Sequence, residues 1–330
     1  MARGKRMARS TRGALRAFLC CLPALSGLSV GVVAREQIPS PPDASDGLSA
    51  IIIEATEPRF VAPTRRDKIG RIWAPVMING RGPFRLVLDT GASRSAITAQ
   101  VADALGIPPD SSRQVLLRGV TGSLAVPTIH VDSFAVGDVI LTPATLPIVA
   151  DALGGAEGVL GTEGFDNKRL YIDFEHDMIT ITHSRGERVR ADFVVIPLER
   201  SFAGLLAIHA QVAGVRVRAI IDTGGQSTIG NEAMRDTLVR RHAKGTSTPV
   251  TDVTTTTQDG ESFPSPPIEL GSIKIRGARI TYGDMKIFEH WHLINEPALL
   301  IGMDALGLLD VFIIDYRRHE LQLRTRPGGR

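Results

Sequence analysis

Two aspartates stand at the ends of similar β-forming runs. Phe84-Arg85-Leu86-Val87-Leu88-Asp89-Thr90-Gly91-Ala92-Ser93 lies over Val217-Arg218-Ala219-Ile220-Ile221-Asp222-Thr223-Gly224-Gly225-Gln226. Each carboxylate follows an apolar run and precedes Thr-Gly. It therefore sits where a buried strand enters a tight turn that asks for glycine's conformational freedom at Gly91 and Gly224. One ionised carboxylate buried alone is costly. Two at matching positions make sense if the two halves pack face to face about a pseudo-twofold axis, so that Asp89 and Asp222 meet. Two carboxyls in contact do not both ionise, so one keeps a proton and the other is an anion. Such a pair is acid and base at once: a water between them gives a proton to the anion and attacks a carbonyl, while the protonated member donates to the developing oxyanion.

The elements that would position these acids repeat as well. Nine residues beyond each Asp stands a candidate helix N-cap, Thr98 or Asn231, and sixteen beyond each stands an apolar helix residue, Leu105 or Leu238. Gly106 closes the first helix and Gly245 follows the second. Val159-Leu160-Gly161 ends 72 residues after Asp89, and Leu300-Ile301-Gly302 ends 80 after Asp222. Each is followed by a β-rich ending, Leu170 to Phe174 with Met178 to Ile181, and Phe312 to Tyr316 with Leu321 to Leu323. Between these landmarks the chain is short β-like runs separated by Gly, Pro and Asn, beginning with Ile72 to Ile78, an Asn79-Gly80 turn, and Phe84 to Leu88. The fold expected is mostly β.

Asp89-Thr90-Gly91-Ala92-Ser93 and Asp222-Thr223-Gly224-Gly225, with the apolar pairs that run into Gly161 and Gly302, resemble the aspartic peptidases. The likeness is to the bacterial relatives of the retroviral (retropepsin-like) enzymes and, more distantly, to the two-lobed pepsins, over about residues 69 to 325. The resemblance implies a bilobal acid-protease fold of two pseudo-twofold-related β-barrel lobes, each with a short helix. It implies the like-charge pair behaviour established for that family. It also implies that each Asp-Thr-Gly turn lies under the apolar-apolar-Gly segment of its own lobe, that Thr90 and Thr223 brace the turns across the axis, and that hairpin flaps close over an extended peptide. One chain supplies both halves here, with 133 residues between the two Asp. The lobes expected are 69–190 and 191–330.

Glycine placement marks the flaps. Gly119-Val120-Thr121-Gly122 lies between apolar runs and between Asp89 and Gly161, as a mobile tip over the cleft should, with an ordinary surface hairpin as the alternative. The counterpart, Thr254 to Glu261, is longer and Thr-rich. Most relatives have Ser, Thr or Ala after Asp-Thr-Gly, and Ala92 and Gly225 both lack the pepsin-type hydroxyl at that place. Fewer donors to the anion leave its pKa less depressed, and Gly225 is expected to loosen the second turn.

At 330 residues, 43% apolar and 22% charged, the chain has the composition of a folded protein with room for two lobes. Its net charge of +3 comes from the start. Arg3, Lys5, Arg6, Arg9, Arg12 and Arg16 precede an apolar stretch, and residues 35–330 hold 32 Lys+Arg against 35 Asp+Glu, a net of −3. The basic balance is therefore no sign of nucleic-acid binding. Residues 1–34 read as a cleavable signal peptide, with an uncleaved membrane anchor as the alternative. Both cysteines, Cys20 and Cys21, fall inside it. A periplasmic or secreted protein without disulfides is expected. Pro-rich residues 35–68 read as a linker or short pro-segment.

Other signals carry less. His290-Trp291-His292 would put two imidazoles on one face of a strand, but no third ligand is marked, so no metal is expected. Gly154 to Gly161 lacks the Gly-Lys-Ser/Thr of a phosphate loop, and Ser93 and Ser95 lack a nucleophile elbow, so turn hydrogen bonding is the reading for these serines. Asp173 and Asp315 recur in the two halves and read as turn-shaping residues. The function expected is a cofactor-independent endopeptidase acting on peptide or protein substrates as a single chain, with Asp89 and Asp222 as the catalytic pair. The alternative is a weakly catalytic peptide-binding or inhibitory protein of the same fold.

Overall fold

Apolar runs broken by turn residues become strands throughout. Asn79 and Gly80 both take positive φ, 50° and 70°, and close the first hairpin; Gly106 at φ 73° terminates the first helix. The computed structural model describes residues 60–63, 70–201, 204–239 and 243–325. The leader at 1–34 and most of the linker stretch lie outside the described residues.

The first half contains β1 (Phe60–Pro63), β2 (Trp73–Ile78), β3 (Arg81–Leu88), β4 (Ala96–Thr98), α1 (Ala99–Leu105), β5 (Asp110–Arg118), β6 (Ser123–Val131), β7 (Phe134–Val136), β8 (Val139–Leu141), β9 (Ala144–Val149), β10 (Gly158–Leu160), β11 (Lys168–Asp173) and β12 (Met178–His183). The second contains β13 (Val194–Pro197), β14 (Glu199–Arg200), β15 (Leu206–Val212), β16 (Val215–Ile221), β17 (Ile229–Gly230), α2 (Glu232–Leu238), β18 (Thr246–Thr251), β19 (Thr257–Pro264), β20 (Ile268–Leu270), β21 (Ile273–Ile275), β22 (Arg279–Tyr282), α3 (Lys286–His290), β23 (Ala298–Ile301), α4 (Met303–Leu306), β24 (Leu309–Asp315) and β25 (Glu320–Thr325). The protein is mostly β and two-lobed.

Each lobe is built on one curled sheet. The first runs β5-β6-β9-β4-β10-β3-β2-β7-β8 and the second β18-β19-β22-β17-β23-β16-β15-β20-β21, with β14 added beside β15. Position by position these are the same order. In both, the strand leading to the aspartate pairs in parallel with the apolar-apolar-Gly strand: Leu88 lies opposite Leu160, and Ile221 opposite Ile301. A parallel neighbour needs a long crossover, which is why residues so distant in sequence meet at the carboxyl ends of β3 and β16.

A third sheet, β1-β12-β11-β24-β25-β13, takes strands from both halves. The two β-rich endings therefore pair with each other through β11 and β24, with Ile172 opposite Phe312. Every residue of β24 is buried, and its apolar run from Val311 to Ile314 suits a strand enclosed on both faces. β1 lies in the stretch expected to be a linker. Instead, Phe60–Pro63 forms an edge strand antiparallel to β12. The hydrophobic core spans all three sheets, with Leu86, Leu160, Ile172, Ala219, Ile301 and Phe312 in one contiguous cluster.

The helix caps fall where the sequence placed them and differ in chemistry. Asn231 caps α2 by accepting from the Met234 N–H at 2.9 Å. Thr98 makes no side-chain cap for α1, because its hydroxyl donates to the Glu157 carbonyl at 3.3 Å. The expected strand at His290-Trp291-His292 is instead the end of α3 and the turn after it, with His292 at φ 56°. There the amphipathic run from Met285 to Leu293 buries Phe288 and Trp291 edge to face.

Candidate active site

The two Asp-Thr-Gly turns are built from below by backbone. The Asp89 N–H donates to the Leu160 carbonyl at 2.9 Å and the Asp222 N–H to the Ile301 carbonyl at 3.0 Å, so each turn rests on the apolar-apolar-Gly strand of its own lobe. Across the axis the threonines interlock. The Thr90 N–H donates to Thr223 Oγ1 at 3.1 Å, the Thr223 N–H donates to Thr90 Oγ1 at 3.2 Å, and the hydroxyls donate in turn to the carbonyls of Ile221 (2.7 Å) and Leu88 (2.6 Å). All four donors are buried and paired. Loss of any one leaves a buried polar group unmet, at about 1–3 kcal/mol.

The structure brings the Asp89 and Asp222 carboxyls together at Gly91, where a Cβ would lie 3.0 Å from Asp222 Oδ1 and 3.2 Å from Asp89 Oδ1. Their surroundings differ. Asp222 Oδ1 accepts two backbone N–H groups, from Gly224 and Gly225, both at 2.9 Å. Asp89 Oδ1 accepts the Gly91 N–H at 2.8 Å. Burial, then the charge of Asp222 and the hydrogen bond to it, push Asp89 well above the ordinary carboxylate value. Burial also raises Asp222, but the hydrogen bond from Asp89, the N–H groups of Gly225 and Gly224, and the Arg71 guanidinium all favour its anion. Burial raises both carboxyls, and their mutual repulsion leaves the pair sharing one proton.

The glycines serve the site differently from what the sequence suggested. Gly91, Gly224 and Gly225 do not take positive φ. They are needed because the carboxyls approach their backbones. A Cβ on Gly91 would lie 2.9 Å from Asp222 Cγ, one on Gly224 would run into the Asp89 carboxyl, and one on Gly225 would sit 2.6 Å from Asp222 Oδ2. Gly225, expected to loosen the second turn, is instead required by close approach and supplies a donor to Asp222.

A second matched pair of carboxylates went unnoticed in the sequence. Two residues beyond Gly161, Glu163 Oε1 accepts the Ser95 N–H at 2.6 Å, and the Gly161 N–H donates to Ser95 Oγ at 3.0 Å. Two residues beyond Gly302, Asp304 accepts the Thr228 N–H (3.1 Å) and hydroxyl (2.7 Å), and the Gly302 N–H donates to Thr228 Oγ1 at 3.3 Å. These clamps hold the far end of each turn. Their signal was available, since Ser95 and Thr228 both stand six beyond the aspartate and both acids two beyond the glycine. Ser95 is a turn hydrogen-bonding residue, as expected. So are Asp173, which accepts the N–H groups of Glu175 and His176, and Asp315, which accepts the Arg318 N–H and the Ser184 hydroxyl.

The hairpin of β5 and β6 has exposed arms and a buried tip: Gly119 and Thr121 are covered while most of the arm residues face solvent. A free surface hairpin has the opposite pattern. The cover comes from the other lobe. The Thr121 N–H donates to Asp252 Oδ2 at 2.8 Å, the Thr121 hydroxyl donates to the Thr256 carbonyl at 2.7 Å, and the Ile287 N–H donates to the Val120 carbonyl at 3.1 Å. Gly119 and Gly122 face Asp252 and Thr256 with no room for side chains. The counterpart tip is Asp252 to Thr256, ahead of the expected position, because Thr257 to Glu261 pair as strand β19. The tips cross over: Val120 packs against a second-lobe cluster containing Ile220 and Ile229, and Val253 against a first-lobe cluster containing Val87 and Val159.

His290 and His292 lie beside this region. Burial first, then Arg118 and His292, lower the His290 pKa. No group of three or more potential metal-ligating side chains exists among the described residues.

Residues 74–163 match the family model of aspartyl proteases. The matched stretch holds Asp89, Thr90 and the first flap, and ends before Asp222. No curated protein matches the chain significantly.

Proposed function

We propose that the protein is a single-chain, retropepsin-like aspartic endopeptidase with Asp89 and Asp222 as its catalytic pair. The observation that carries this reading is the meeting of the two carboxyls at the ends of β3 and β16, a pair that shares one proton and in which Asp222 accepts two backbone N–H groups. Asp222 is the general base: it takes a proton from a water between the carboxyls as that water attacks the peptide carbonyl. Asp89 donates its proton to the carbonyl oxygen as it becomes an oxyanion. Thr90 and Thr223 keep the acids in register, and Gly119 to Gly122 with Asp252 to Thr256 cover an extended peptide, whose backbone would pair with the flap arms. The chemistry needs neither a metal nor an organic cofactor. The matching strand orders of the two lobes support internal duplication. The arginine-rich start, which lies outside the described residues, supports export.

The test is cleavage of a diverse peptide mixture by the purified protein from acid to neutral pH, with and without a pepstatin-type transition-state mimic. Mimic-sensitive cleavage that disappears in a folded Asp89→Asn variant is the expected result. Binding of peptides without turnover by the wild type would replace the enzyme reading with a peptide-binding one.

A further inference from the structure

The two lobes part company directly beneath the Asp89 turn. Tyr316 follows β24, is 8% exposed, and its phenol O–H has no hydrogen-bond partner among the described residues. Tyr316 lines a small cavity with, among others, Thr90, Thr162, Leu206, Ile221 and Ile314, about large enough for one water. Thr162 follows Gly161 and holds the turn: its N–H and hydroxyl donate to the Ala92 carbonyl at 3.0 and 3.2 Å. The hydroxyl's lone pairs remain to accept.

The positions that match Thr162 and Tyr316 in the repeat are apolar. Met303 follows Gly302 as Thr162 follows Gly161, and grips the Gly225 carbonyl only through its backbone N–H, at 2.9 Å. Phe174 follows Asp173 as Tyr316 follows Asp315. Packing at this place is therefore met by a phenyl ring and a thioether. Thr162 and Tyr316, one from each half, occur together on one side of the pseudo-twofold only, and both line one cavity. A buried O–H left unmet is costly, and a water with these two partners meets it.

We propose that Tyr316 is a positioning residue for the Asp89 turn, acting through one water held between its hydroxyl and Thr162 Oγ1. The chain runs from the Tyr316 O–H to the water, to Thr162, to the Ala92 carbonyl, and so to the turn that carries Asp89. The charged groups around that turn include Asp222, Glu163, which accepts the Ser95 N–H at 2.6 Å, and, beside Asp222, Arg71, which donates to the Leu153 carbonyl at 2.9 Å. From the sheet pairings, Leu205 occupies Arg71's place in the other half. The Asp222 side is thus supported by a cation and the Asp89 side by a neutral polar chain. Behind Tyr316, whose N–H donates to the Lys168 carbonyl, the Lys168 ammonium is paired with Asp138 at 2.8 Å.

The role in catalysis rests on the peptidase reading; the water does not. A crystal structure of the full chain is expected to show an ordered water within hydrogen-bonding distance of the Tyr316 hydroxyl and Thr162 Oγ1, and a dry cavity overturns the proposal. Tyr316→Phe is expected to lower the melting temperature, whereas removal of an orphaned hydroxyl would raise it. With peptide substrate, Tyr316→Phe and Thr162→Val should each lower kcat roughly 3–10-fold at unchanged KM, and the double variant should be no worse than either alone. The basic limb of the rate profile should move to higher pH, because losing polar groups near a buried carboxyl disfavours its anion. Additive effects, or pH limbs that stay in place, overturn the positioning role. A wild type that cleaves nothing removes the peptidase reading, while the water and the sign of the thermal shift still decide what Tyr316 does.

Discussion

Asp252, at the tip of the second flap, accepts the backbone N–H of Thr121, at the tip of the first, at 2.8 Å, and the N–H of its own neighbour Thr254 at 2.7 Å. One carboxylate thus organises its own turn and latches the opposite flap. On the peptidase reading, a substrate has to part this contact. Asp252→Ala should speed amide exchange at residues 119–122 by about 10–100-fold, the equivalent of a lost charge-assisted hydrogen bond. The melting temperature should barely change, since the arms are already exposed. Exchange rates equal to wild type would show that the tips are held by Val120 and Val253 packing instead.

The dyad should cost stability in a pH-dependent way. A carboxyl whose folded pKa is raised contributes most below its unfolded value and loses that contribution as pH rises toward the folded value. Burial raises Asp89 in this sense. Asp89→Asn should therefore melt on the order of 2–4 °C higher than wild type at neutral pH, with the gain vanishing below the ordinary carboxylate range, while hydrolysis falls by ~1,000-fold or more. Thermal scans across pH check the sign, and a gain that grows in acid would contradict it.

The threonine interlock is reciprocal, so its loss should not be additive. Thr90→Val and Thr223→Val each remove a hydroxyl that both donates to a carbonyl and accepts an N–H across the axis. Each should destabilise by roughly 1–3 kcal/mol, and the double variant by clearly less than the sum. Denaturant titrations of the four proteins give the coupling directly.

Ala92 leaves Asp89 without a side-chain donor from the next turn residue. Ala92→Ser offers a hydroxyl to that carboxyl, which favours its anion. With Asp89 as the proposed proton donor, the basic limb of the rate profile is expected at lower pH in the variant. Gly225→Ala makes the contrast, because its methyl group would sit 2.6 Å from Asp222 Oδ2. That variant should lose activity at every pH, and pH-rate profiles of both separate donor supply from steric displacement.

The repeated features were legible because they are local. An apolar run, an aspartate, a threonine and a glycine occupy consecutive positions twice. The apolar-apolar-Gly strands and the Gly119 to Gly122 tip keep their order around them. The matched acids Glu163 and Asp304 were equally legible once the overlay is carried two residues past each glycine. The exchange between halves was not. Nothing in Leu170 to Phe174 or Phe312 to Tyr316 says that these endings pair with each other rather than within their own lobes, because apolar alternation defines a face and leaves the partner open. For the same reason the edge strand at Phe60–Pro63 was hidden among prolines.

From the sequence alone came the chemistry: which acids, in which turns, on which kind of strand. The tertiary structure decided the asymmetry, because that depends on what each carboxyl meets through space. Asp222 Oδ1 has two N–H donors and a nearby guanidinium, whereas Thr90, next to Asp89, lines the cavity of Tyr316 and Thr162. It also decided why the glycines are there. Side-chain size is written in the chain, but the distance from a carboxyl to the opposite backbone exists only after the two lobes have closed on each other.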